Sequence, residues 1–144
     1  MKKFVACSCV LILLVVCLTG CDLFKDMFNN IKNPESLPKT EEMLKALEEN
    51  RVDDAQALMH PSVNDGSTFK FEQMIGLLNG RTVTSVQQMN ISINKSIDLA
   101  GEATIETATY KVNLSDGSTL LASVEYLTNS AGSGFVLFLL SVGA

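Results

Sequence analysis

Hydrophobic and polar positions change their spacing several times along the chain. From Phe4 to Leu18 the apolar run is almost unbroken. Then Leu23, Phe24, Met27, Phe28 and Ile31 recur at helical spacing, opposite Asp22, Lys25, Asp26, Asn29, Asn30 and Lys32. Pro34 and Pro38 interrupt any helix, so residues 21–38 read as a linker and the folded domain as residues 39–144. In the domain, Thr40 is placed to cap a helix through Glu41, Glu42, Met43, Leu44, Ala46 and Leu47, with two acids in the first turn where the helix dipole favours them. It should end near Asn50. A second helix is predicted in VDDAQALMHP, with Val52 as staple, Asp53 as cap, Ala55, Leu58 and Met59 as stripe and Pro61 as stop. After the polar loop SVNDGS, Phe71, Met74, Ile75 and Leu78 form one face of a third helix, which Asn79 and Gly80 end.

From Arg81 onward the period is two. Met89, Ile91 and Ile93 alternate with polar residues in a half-buried strand. In the next strand, Glu102 to Leu114, Ile105 falls on one face and Ala108, Tyr110, Val112 and Leu114 on the other, which predicts a bulge near Glu106 and Thr107. Asp116-Gly117 is a hairpin signal. It leads into Ser118 to Thr128, where Leu120, Ala122, Val124 and Tyr126 share a face. Residues 135–142, FVLFLLSV, are apolar on both faces, which predicts a central strand or one covered on both sides.

Helices followed by a four-stranded antiparallel meander make the chain α+β. This order of elements, over about residues 39–142, resembles the NTF2-like (cystatin-like) cone, small versions of which are common in bacterial lipoproteins. The resemblance implies a curved sheet wrapped on helices, with a pocket between them. That fold hosts enzymes, ligand binders and dimerising scaffolds alike, so fold alone does not choose a function.

The N-terminal run explains where such a domain would reside. Lys2 and Lys3, the apolar stretch, and small residues at Thr19 and Gly20 have the anatomy of a secretory signal. As a helix, Phe4 to Thr19 would cover only about 24 Å against roughly 30 Å of membrane hydrocarbon. Leu18-Thr19-Gly20-Cys21 resembles the lipobox of bacterial lipoproteins. The resemblance implies that residues 1–20 are cut away, that the Cys21 thiol carries a diacylglyceryl group, and that the protein is held at the extracytoplasmic face of the cell membrane. Two or more acyl chains on one residue make a stable anchor where one would be marginal. In a two-membrane host, Asp22 after the cysteine resembles an inner-membrane retention signal.

That reading changes the chemistry available. The four cysteines are Cys7, Cys9, Cys17 and Cys21, so three leave with the signal and the fourth carries lipid. The mature chain then has no disulfide, thiol nucleophile or cysteine metal site. Nine Lys and Arg remain against 16 Asp and Glu, a net charge of −7 over the 124 residues from Cys21 to Ala144. An acidic surface argues against nucleic acid and against electrostatic adhesion to anionic lipid.

Five residues are candidates for a pocket: His60, Glu106, Tyr110, Glu125 and Tyr126. His60, the only histidine, stands at a helix end with no partner motif; capping competes with a general-base role, and one histidine builds no zinc site of the usual kind. The tyrosines lie on apolar strand faces, where a ring is ordinarily core with its hydroxyl satisfied. Glu106 lies at the expected bulge, and Glu125 on the face of Leu121 and Leu127, opposite Tyr126. An acid among apolar neighbours can have a raised pKa and act as a base. Gly132-Ser133-Gly134 enters a strand rather than a helix, so it reads as a turn and not a phosphate loop. The acidic pairs Glu48-Glu49 and Asp53-Asp54 lack EF-hand spacing.

No cofactor or metal is implied. The expectation is a non-catalytic lipoprotein module that binds a protein partner, a small apolar ligand or a second copy through its sheet. The alternative is an NTF2-like isomerase or hydrolase working in the cone pocket.

Overall fold

The computed structural model describes residues 34–66 and 68–143, apart from the side chains of Phe69 and Asp98. The expected signal segment, residues 1–20, together with Cys21 and the stretch 22–32 read as amphipathic, lies outside the described residues. From Pro34 onward the chain forms a compact unit with its own core. Three helices come first: α1 at Ser36–Glu48, α2 at Val52–Ala57 and α3 at Phe69–Leu78. Four strands follow: β1 at Val83–Asp98, β2 at Gly101–Leu114, β3 at Thr119–Asn129 and β4 at Gly132–Val142. They form one antiparallel sheet in the order β1-β2-β3-β4. The class is α+β with an open four-stranded sheet.

Helix α1 begins four residues before the expected Thr40 cap, inside the stretch read as linker. Pro38 is tolerated because the first turn of a helix leaves its N–H groups unpaired in any case. Ser36, Thr40, Met43, Leu44 and Leu47 then form a single buried stripe at helical spacing. Asp53 is likewise no cap; it lies in the first turn of α2, after Arg51. Helix α3 ends as the sequence indicates, with Asn79 and Gly80 both in left-handed conformation.

The helices cover one face of the sheet, here called the inner face. Strand β2 supplies Glu106, Ala108, Tyr110, Val112 and Leu114 to it, and β3 supplies Leu120, Ala122, Val124 and Tyr126, all buried. The expected bulge at Glu106 and Thr107 is absent: β2 pairs with β3 without a break from Thr104 to Asn113. The alternation is regular once Glu106 is counted in the apolar row and Ile105 on the outer face. The register shifts fall instead in β1, where Met89 is left unpaired and exposed, and in β4 at Val136. Ile91 and Ile93 are half-buried on the inner face.

Strand β4 is neither central nor covered on both sides. It is an edge strand, with Leu137 and Leu139 on the outer face 41% and 53% exposed. Only its inner-face residues Phe135, Phe138 and Leu140 are core, the two phenyl rings meeting edge to face at 5.1 Å. A strand apolar on both sides is therefore only half used by the described unit.

Candidate functional site

The first residues of α1 carry no side-chain cap of their own. Their partner comes from β2, seventy residues away: the Glu106 carboxylate accepts Glu35 N–H at 3.2 Å and Ser36 N–H at 2.9 Å. A negative group at a helix N-terminus is favoured by the dipole, and each of its oxygens accepts one of the two bonds. Next along the same row, the Tyr110 hydroxyl pairs with Ser36 Oγ at 2.7 Å. Tyr126 stands directly across from Glu106 in the β2–β3 register, and its ring meets Phe135 edge to face. Thr128 Oγ1 donates to Glu35 at 3.4 Å.

Burial dominates the electrostatics of the two phenols in this cluster. Burial raises the pKa of Tyr110; the Ser36 bond pulls it down, and the neighbouring Glu106 charge pushes it up again. Burial also raises that of Tyr126, with Lys39 opposing and Glu35, Glu106 and Glu42 adding to the rise. Both phenols therefore stay protonated at neutral pH, and each oxygen of the carboxylate beside them already accepts a backbone N–H. Thr40, one turn further along α1, is fully buried with its hydroxyl unpaired.

His60 belongs to a different node. It is fully buried, and its backbone joins β4 through His60 N–H to Phe135 C=O at 2.9 Å and Phe135 N–H to Leu58 C=O at 3.0 Å. Nδ1 accepts the Ser62 N–H at 3.1 Å and lies 2.7 Å from Ser62 Oγ. The proton is thus on Nε2, which donates to Asn129 Oδ1 at 3.1 Å; that oxygen also accepts Ala131 N–H at 2.9 Å. The imidazole fastens the loop after α2 to the β3–β4 turn. Gly134 makes the approach possible, because a Cβ there would lie 2.5 Å from His60 N. The Gly-Ser-Gly stretch is explained by this close passage of backbone.

Glu125 is on the outer face, between Thr107 of β2 and Leu137 of β4. So the structure brings Glu106, Tyr110 and Tyr126 together, and leaves His60 and Glu125 elsewhere. Sequence reasoning missed Ser36, Ser62 and Asn129, and read Thr40 as a cap and Gly134 only as part of a turn. The available signal was Glu106 itself, a charge in a buried row that demands a partner.

Grooves open on the described residues include the following two. One, of about 320 Å³, runs between the end of α1 and the start of β1, with Leu44, Val83 and Val86 at its apolar part and Glu41, Lys45, Glu48 and Glu49 around it. The other, of about 120 Å³, lies between Met59, Lys70, Phe71, Met74 and Phe138. Neither contains any of the five candidate residues. No group of three or more potential metal ligands occurs among the described residues.

The outer face is graded. On the β1 side it carries Gln87, Asn90, Ser92 and Asn94, and on β2 Thr107, Thr109 and Lys111. Towards β4 it becomes apolar, with Leu121 and Leu127 half-buried and Leu137 and Leu139 exposed around Glu125. Strand β4 has no charged residue and no proline between Gly132 and Val142, the usual guards of an edge. Gly143 N–H donates to Thr119 C=O, which sets the ladder so that Phe138, Leu140 and Val142 turn their backbone groups away from β3.

No family model, no curated protein and no solved structure matches this chain.

Proposed function

We propose that this protein is an extracytoplasmic lipoprotein, anchored through acylated Cys21, whose folded unit serves protein association rather than catalysis. The observation that carries the reading is the leucine-lined outer face running up to an uncharged edge strand, which the 58–60 segment covers at Phe135 but not beyond it. The polar residues that a cone enzyme would use are spent on the helix start and on the loop at His60. The order of elements and the bulges in β1 and β4, which curl a sheet, support reading the domain as a small NTF2-like cone.

The partner is a second copy of this chain. A strand edge is self-complementary about a two-fold axis, and β4 pairing with its copy would join the two leucine stripes into one. An acidic chain repels its copies over most of its surface, and the β4 side, with Glu125 as its one charge on the outer face, is where that repulsion is least. Sedimentation of the chain beginning at Asp22 should show a dimer, and Leu139→Lys should return it to monomer without loss of fold. A plain monomer at millimolar concentration overturns the association. The anchor is tested separately by intact mass: wild type should match a chain from Cys21 plus lipid, and Cys21→Ser should accumulate as uncut precursor. An unlipidated mature chain refutes it.

A further inference from the structure

The start of α1 marks the end of the domain at which the chain leaves towards Cys21. Glu35 and Ser36 are bonded to Glu106, and Glu35 to Thr128. Thr128 pairs with Thr104, and this is the last rung that β3 shares with β2. Beyond it β1 and β2 continue alone as a two-stranded ribbon through the pairs Ser96–Ala103, Ile97–Glu102 and Asp98–Gly101. At roughly 3.4 Å per residue the ribbon extends on the order of 15 Å past that rung, whereas β3 and β4 run only one further pair, Asn129–Gly132, before their own turn. Its end is apolar: Ile97 is 83% exposed, and Leu99, in the two-residue turn with Ala100, is fully exposed. A projecting turn in a soluble domain is ordinarily polar.

We infer that the β1–β2 ribbon tip, through Ile97 and Leu99, is a second membrane contact that dips into the lipid interface beside the acylated Cys21. This rests on the anchor proposed above. Twelve residues, Asp22 to Asn33, separate Cys21 from Pro34 and span at most about 43 Å. The tip and the exit of the chain share one end of the domain, so a lipid surface is the partner that the tether itself brings within reach. Two apolar side chains bind a membrane weakly from free solution. Tethering makes the contact intramolecular, and a weak contact is then enough to orient the domain. The ribbon carries Lys95 and Glu102 beside Asp98, so its attraction is apolar rather than electrostatic and needs no anionic lipid. Docked this way, the domain stands on its ribbon with the β2–β3 hairpin pointing away.

The chain has no tryptophan, so an introduced one reports alone. The lipidated full chain carrying Leu99→Trp, reconstituted in phosphatidylcholine vesicles, should show a blue-shifted emission that brominated acyl chains quench several-fold. Ser115→Trp, at the opposite hairpin, should show neither. Adding anionic lipid should not increase the quenching. With lipidation confirmed by mass, unquenched emission at residue 99 overturns the tip contact while leaving the anchor standing. A blue shift without quenching also overturns it, because the tip is then covered by protein. Absence of lipid from the mass overturns both.

Discussion

Gly134→Ala and Gly76→Ala are the same chemical change and should move stability in opposite directions. Neither glycine has a positive φ, so alanine fits the backbone at both. At Gly134 the new methyl would stand 2.5 Å from His60 N, 2.7 Å from His60 Cα and 2.7 Å from the Met59 carbonyl carbon. These are backbone atoms, which cannot rotate aside. The 58–60 segment must lift from β4, losing the two hydrogen bonds between Phe135 and residues 58 and 60. Two such bonds at about 0.5–1.5 kcal/mol each, with overpacking of about 1–3 kcal/mol, give a loss of roughly 2–6 kcal/mol. That is a large share of the ~5–15 kcal/mol that holds a domain folded. At Gly76, on the exposed side of α3, a Cβ meets nothing within 4 Å. There the gain is the helix preference of alanine, about 0.5–1 kcal/mol. Urea unfolding followed by circular dichroism separates them: with unchanged slope, the midpoint should fall by about 1 M or more for Gly134→Ala and rise slightly for Gly76→Ala. A midpoint for Gly134→Ala equal to wild type would refute the close passage of the histidine loop over β4.

Glu106→Gln keeps the shape but replaces one acceptor oxygen by a donor, so one N–H of the α1 start loses its partner; urea unfolding should show a loss of about 1.5–3 kcal/mol, and no loss would mean that the helix start is not held there. Thr40→Val is isosteric and removes a buried unpaired hydroxyl, so it should stabilise by about 1 kcal/mol; destabilisation would show that the hydroxyl has a bound partner. For Tyr110 and Tyr126 the folded pKa lies above the unfolded value of about 10. The folded state therefore holds the phenolic protons more tightly, and their contribution is complete below pH 10 and is lost as pH rises through the folded values. Tyr126→Phe should flatten the fall in urea midpoint above pH 10, and an unchanged slope would refute the assignment.

The helices and strands are legible because their apolar residues keep strict periods, and the stops at Asn79-Gly80 and Asp116-Gly117 have backbone reasons. The start of α1 was not, because its cap is not local: Thr40 looks like a cap, yet Glu106 does the capping from another strand. The same remoteness explains the bulge that is absent. Glu106 breaks the pattern only if acids are assumed to face water, and a long-range partner removes the conflict. The placement of β4 is a failure of another kind. Apolarity on both faces states that both want cover, but not that the described unit supplies it, and Leu137 and Leu139 remain uncovered. Convergence of the five candidate residues was half legible: strand period put Glu125 opposite Tyr126, whereas the site of His60 depends on where a loop crosses a sheet end.

The buried polar cluster gains a mechanical sense under the proposed anchor. A domain anchored as proposed would take any pull at Pro34 and the start of α1, and helix ends fray unless tied down. Here the first turn of α1 is bound by backbone bonds from residues 35 and 36 to Glu106, by Ser36 to Tyr110 and by Thr128 to Glu35, so it is fastened to both central strands. A local serine or aspartate cap would close the helix equally well, but it would join the helix only to itself. Placing the capping charge on β2 spreads a load at the chain exit into the sheet core. The ribbon tip lies at the same end of the domain as that exit. On this reading the inner face secures the domain to its anchor, and the outer face of β3 and β4 is left as the surface free to meet another molecule.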